Sequence, residues 1–339
     1  MDIIEGRKKM AKVLNRAKKN AKPDYCILCG EPQTSFCNSH LIPQMVLKNI
    51  AEDGKLLHPN ILAEIEVIDM EKGINNAGTF HFICPKCDGM FFQHYEDKDT
   101  IKNYPTDLIM AEIAVKNMLL MISKRNEEKA LYNVIQSDFN SIINKELLDS
   151  IQNLDVGEYM DELNMYKGLI TDKTKGCFKV MYWKKLPYVV PIAVQTPIAV
   201  YKDMNGDIIN ELYNMDPNYH IQNLHLCIFP MEDETIVLLF RHRRDKFYRG
   251  LGHQLNSCSE DKCLMFINYL VFAYTENYFC SEEIRNVLES NENLKKLFKE
   301  ENGSPNFGYK EVYDLFGEEY TTVKMEEIPN FLSEQFKLR

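Results

Sequence analysis

No run of apolar residues in the 339-residue chain approaches the ~18 that a membrane-spanning helix needs, and a transmembrane protein is not expected. Glycine and proline are sparse, at 15 and 13, in a chain that is 45% hydrophobic and 27% charged, which excludes a collagen-like or disordered chain. Also missing are a Gly-rich phosphate loop, a nucleophile elbow, a paired-His metal motif and any repeat of solenoid or propeller period. The opening MDIIEGRKKMAKVL carries charges where a secretory leader carries an apolar segment, so a cytoplasmic protein is expected, with its ten cysteines as thiols, metal ligands or catalytic groups rather than disulfides. Excess positive charge is lacking too: the net charge of -10 argues against uniform attraction to nucleic acid.

Charge is, however, segregated. Residues 1–22 hold Arg7, Lys8, Lys9, Lys12, Arg16, Lys18, Lys19 and Lys22 against Asp2 and Glu5, so this stretch carries +6 and the remainder -16. A second cluster, FRHRRDKFYR, sets Arg241, Arg243, Arg244, Lys246 and Arg249 against Asp245, with Phe247 and Tyr248 interleaved. Each run reads either as a solvated face or as a local nucleic-acid patch; Lys8, Lys9, Lys12, Arg16, Arg241, Arg243 and Arg244 are the candidate contacts.

Three regions are expected. Residues 1–22 read as a basic helical arm that stops before Lys22-Pro23. Residues 23–100 read as a metal module. Residues 101–339 read as an α+β domain for sensing, specificity or assembly: a buried helix from a Thr106-Asp107 cap through LIMAEIAVKNMLLMI with more helix to about 152, an antiparallel sheet, then helices. Strand-like runs are CFKVMYW, YVVPIAV, PIAVYKD, DIINELY, LHLCIF and TIVLLF, with Asn205-Gly206 as a turn signal; Ser257 with Glu260 resembles a capping box, and Ser281 can start a further helix.

The sharpest signal is Cys26-Ile-Leu-Cys29-Gly30 with Cys84-Pro-Lys-Cys87. A C-x2-C knuckle turns two thiolates onto one ion, and two knuckles complete a tetrahedral site, so a structural Zn2+ on Cys26, Cys29, Cys84 and Cys87 is expected. Gly30 suits the positive φ of the knuckle and Pro85 suits the first turn of a helix. Cys37 and the five cysteines from Cys177 onward show no pairing and read as buried small side chains. Phe91, Phe92 and Tyr95 read as the core side of the following helix, and His58, His81, His220, His225 and His253 as structural or surface groups.

Between the knuckles lies Ser39-His40-Leu41-Ile42-Pro43, and Asp88 follows the last cysteine. Here residues 23–98 resemble the HNH endonuclease superfamily in its treble-clef form, where zinc knuckles frame a ββα-metal site. The resemblance implies an N-terminal HNH-like ββα module, with His40 as general base and Asp88 as ligand of a hydrolytic Mg2+ or Mn2+. Ser39 stands where the family usually has an acid or His, and Thr79 where it often has Asn. His94 and Glu96 can rebuild a hard-ion site with Asp88 if the helix runs on, although Glu96, Asp97 and Asp99 also read as an exposed turn.

The function implied is metal-dependent cleavage of DNA, with RNA less favoured, in a chain whose design fits bacterial defence by analogy with the family. The alternative is a non-catalytic zinc module that binds nucleic acid or a protein partner, a homo-oligomer through the C-terminal region being another expectation. No membrane partner is expected.

Overall fold

The structure, a computed structural model, describes residues 3–62, 70–139, 145–212, 214, 216, 218–302 and 321–339. In chain order these form α1 (Ile3–Ala21), β1 (Ser39–His40), α2 (Gln44–Leu47), β2 (Lys55–Leu57), β3 (Glu71–Gly73), β4 (Thr79–Phe80), α3 (Pro85–Phe91), α4 (Lys98–Ile101), α5 (Asp107–Phe139) and α6 (Lys145–Thr171). There follow β5 (Phe178–Leu186), β6 (Ile192–Ile198), β7 (Leu224–Pro230), β8 (Thr235–His242), α7 (Arg249–Ser257), α8 (Glu260–Tyr274), β9 (Tyr278–Cys280), α9 (Arg285–Ser290) and α10 (Glu292–Asn302). Mixed helix and antiparallel sheet match the expected α+β class. Among the described residues no helix is long and apolar enough to cross a membrane.

The chain divides into two compact units. The described residues of the first fall within Met1–Leu41 and Gly78–Gly176, and those of the second within Ile42–Glu64, Met70–Ala77 and Cys177–Arg339. Two boundaries thus differ from the sequence reading: residues 42–62 and 70–77 leave the cysteine module, and the helices of residues 107–171 join it.

In the first unit α5 packs against both α1 and α6. Its start is capped as expected, Thr106 Oγ1 accepting from Ile109 N at 3.3 Å. From Ile109 to Leu120 every side chain is buried, the polar Glu112, Lys116 and Asn117 included. The expected basic helix is α1, which contacts α5: Ala17 is buried while Lys8, Lys9, Lys12 and Arg16 are exposed. The side chain of Arg7, Asp2, and the helix expected across 140–144 lie outside the described residues.

The second unit is built on a seven-stranded sheet of order β3-β2-β9-β6-β7-β8-β5, with every neighbouring pair antiparallel. Every residue of β6 and β7 is buried, which requires cover on both faces. Leu224, Leu226 and Ile228 of β7 join a core with Leu251, Leu264, Ile267, Leu270 and Leu297 of the helices; alternation sends His225, Cys227 and Phe229 to the opposite face. Each fully buried Leu or Ile in that core contributes about 1.5–3 kcal/mol of transfer free energy.

Several local expectations change. DIINELY is not a strand: its described residues make one isolated bridge, Lys202 to Ile208, around the expected turn, in which Gly206 takes φ +89°. The cap of α8 is Ser259 rather than Ser257, because α7 runs through Ser257, whose hydroxyl donates back to His253 O at 2.8 Å. Cys258 and Cys263 form a disulfide at the α7–α8 junction, so two of the cysteines expected to be unpaired are joined across a cap that brings their Cα atoms to 6.3 Å. Ser281 starts a 3-10 turn as expected, accepting from Glu283 N. Ser259→Ala should remove one hydrogen bond from an otherwise orphaned helical N–H, lowering stability by about 1 kcal/mol. That loss is read as a lower urea midpoint at unchanged slope.

Candidate metal centre

The first knuckle is closed by its own backbone: Gly30 N donates to Cys26 O at 2.7 Å and Cys26 N to Glu31 O at 2.9 Å, with Gly30 at φ +74°. A side chain at Gly30 would be strained at that φ, which is why the turn carries glycine. The second knuckle is the start of α3. Pro85 occupies its first turn, where a missing N–H is no loss, and Asp88 N donates to Cys84 O at 3.0 Å. Two links join distant stretches of chain at the knuckles: Ile27 N donates to Phe82 O at 3.1 Å, and Cys84 N to Cys26 Sγ, 58 positions away, at 3.3 Å.

The sulfurs of Cys26, Cys29, Cys84 and Cys87 lie within 4.8 Å of one another, three of the residues buried and Cys29 exposed. Tetrahedral zinc with Zn–S bonds of about 2.3 Å needs sulfurs about 3.8 Å apart, which small rotamer adjustments reach from here. Burial and the neighbouring sulfurs of Cys84, Cys29 and Cys26 hold the Cys87 thiol well above its ordinary pKa. A cation among the four reverses that by favouring thiolate, so the donor set fits a soft divalent ion such as zinc. Cys37 stands apart: its thiol donates to Ile83 O at 3.2 Å, and burial, then the nearby Asp88 charge, push its pKa up to about 12.

Around this centre β1 pairs with β4 in antiparallel register, Ser39 opposite Phe80 and His40 opposite Thr79. Ser39 Oγ donates to Asp88 Oδ1 at 2.6 Å, so strand and helix meet although 49 positions separate the two residues. Ser39 is buried, and His40 and Asp88 are half-buried. The polypeptide order around the four cysteines is therefore strand, strand, helix.

The other candidates have different partners. α3 ends at Phe91, so Asp88 and Glu96 do not share one continuous helix. His94 is held by α5: its Nδ1 lies 2.6 Å from Glu112 Oε1, while Glu112 Oε2 accepts from Tyr95 N at 2.9 Å. Glu96 pairs with Lys116, one turn further along α5, whose fully buried ammonium also lies 4.4 Å from the Phe92 ring centre. Burial raises the pKa of Glu112, against the opposing pull of Tyr95 N and His94. Asp97 caps α4, and Phe91, Phe92 and Tyr95 are core side chains as expected. Among the described residues the four cysteines are the one group of three or more His, Cys, Asp or Glu donors close enough to share an ion.

Arg241 leaves the candidate surface patch. It is buried on β8, its Nη1 donating to His242 O at 3.0 Å, and burial lowers its pKa. The neighbouring Arg243 and Arg244 are exposed, Arg243 Nε donating to Phe178 O at 3.3 Å. Glu112 and Lys116 are the residues that sequence reading passed over. Their signal was two opposite charges four positions apart inside an otherwise apolar run, where each must find a partner or bear a desolvation cost.

Neither a family model nor a curated protein nor a solved structure matches the chain.

Proposed function

We propose that the chain is a metal-dependent endonuclease of the HNH type that hydrolyses phosphodiester bonds in DNA, its four-cysteine module holding a structural zinc. The observation that carries this reading is the Ser39–Asp88 hydrogen bond, which sets the His40 strand against the first turn of the helix that grows from the second knuckle. Base and carboxylate thus come from two elements that the cysteines tie together.

In this reading His40 accepts the proton of a water attacking phosphorus, the role that imidazole fills most often in general-base catalysis. Asp88 would hold Mg2+ or Mn2+ by one carboxylate, a donor set that fits such hard ions where water and substrate phosphate complete the shell. The bound cation supplies stabilisation of the charge that develops on phosphate and leaving oxygen. Lys8, Lys9, Lys12 and Arg16 are exposed on α1 of the same unit and offer phosphate contacts.

A second reading, a non-catalytic zinc module that binds nucleic acid or a protein, is favoured by the lack of a second three-donor group among the described residues. Cleavage of supercoiled plasmid, linear duplex, single-stranded DNA and RNA with Mg2+ or Mn2+, run beside His40→Ala, separates the two. The nuclease reading expects divalent-dependent cleavage reduced at least ~100-fold in the variant, the usual scale of a general base, with metal content and folding unchanged. Equal cleavage by the variant removes His40 from the reaction; no cleavage by the folded, zinc-replete protein favours the binding module.

A further inference from the structure

Ser39 occupies the place where the resemblance expects a side chain that ligates the hydrolytic cation, yet its environment suits another task. The hydroxyl is buried, at 1% exposure, and its proton is committed to Asp88 Oδ1 at 2.6 Å. A neutral hydroxyl competes poorly with a carboxylate for a hard cation, whereas a buried hydroxyl donating to that carboxylate satisfies both polar groups. Asp88 sits half-buried in the first turn of α3, and the Ser39 hydroxyl is the side-chain partner that fixes its Oδ1.

We propose that Ser39 is a positioning residue, which pins Asp88 through Oδ1 and leaves Oδ2 to meet the hydrolytic cation; the inference rests on the nuclease reading above. The same bond has a second consequence. Ser39 and His40 are consecutive on β1, so locking Ser39 to Asp88 also sets the offset between the base and the carboxylate that would hold the ion. Side chains that hydrogen-bond metal-ligating carboxylates commonly govern affinity by about 10–100-fold when removed. A mere tie between strand and helix would affect stability and leave the affinity alone.

The experiment is Mn2+ binding to the full-length, zinc-replete protein in the absence of DNA, followed by loss of the free-ion electron paramagnetic resonance signal, with thermal melts and plasmid cleavage alongside. Wild type should bind Mn2+, Asp88→Ala should not, Ser39→Ala should bind at least ~10-fold more weakly, and Ser39→Thr, which keeps the hydroxyl, should recover most of the loss. Should Ser39→Ala fail to fold, Ser39→Cys replaces it, since a thiol preserves volume while donating weakly. Unchanged Mn2+ affinity in the folded Ser39 variants, with binding lost in Asp88→Ala, overturns the positioning role while His40-dependent cleavage keeps the nuclease reading. Wild type that neither binds Mn2+ nor cuts DNA removes both.

Discussion

Cys84→Ser should abolish metal binding by the four-cysteine cluster and unfold its knuckles. The Cys84 backbone links the two knuckles, its N–H meeting Cys26 Sγ and its carbonyl beginning α3, and its sulfur is one of the four clustered donors. A serine hydroxyl stays protonated near neutral pH and offers no thiolate, leaving three sulfurs to hold the ion. Structural zinc sites return about 10–16 kcal/mol of binding free energy in small fingers, and that figure is a ceiling for the loss here because α5 braces the same segment through Glu112 and Lys116. The check is metal content by elemental analysis and the thermal melt of Cys84→Ser beside Cys37→Ser. Cys37 lies outside the four-sulfur group, so its variant should keep the metal. A Cys84→Ser protein with full metal content and an unchanged melt would remove the four-sulfur site.

The knuckles were legible because their chemistry is local: the C-x2-C spacing, Gly30 and Pro85 specify the turn and the helix start within a few residues. The sheet was legible from period and length: β5, β7 and β8 each overlap one strand-like run, and β6 spans the end of YVVPIAV and the start of PIAVYKD. What failed was whatever depended on distant partners. Nothing near residues 55–57 and 71–73 says that these short strands extend a sheet whose central strands begin more than a hundred positions later. Arg241 reads as basic and therefore exposed, yet β8 alternation and the turn that follows bury it. His94 carries the lesson for the site: side-chain type and helical spacing suggested a ligand beside Asp88, whereas the helix stops at Phe91 and a buried glutamate on α5 takes the imidazole.

The second unit should lose stability as pH falls, with His225 as a large and separable contributor. His225 lies on β7 at 0% exposure, its ring stacked on Phe240 with centres 4.7 Å apart. Burial, and then the charge of His242 if both were protonated, lowers its pKa from 6.5 to about 3. His242 itself is lowered to about 4, chiefly by burial and then by Arg244 and Arg241. Because the folded pKa lies below the unfolded one, the unfolded chain binds more protons between about pH 3 and 6.5, and stability rises with pH across that window. Above about 6.5 the group is neutral in both states and contributes no slope. A shift of this size corresponds to a loss of roughly 3 kcal/mol between pH 7 and pH 4 from His225 alone. His225→Phe keeps a flat ring against Phe240 and removes the proton site. In urea melts from pH 4 to pH 7.5 the wild-type stability should fall away from the variant's toward acid, the variant losing roughly 3 kcal/mol less across the range. Parallel stability curves for the two proteins would mean that His225 titrates alike in folded and unfolded chains, and its place in the sheet would then need another account. A metal held by the four cysteines would also be lost in acid as thiolates protonate, but that loss is common to both proteins and cancels in the difference.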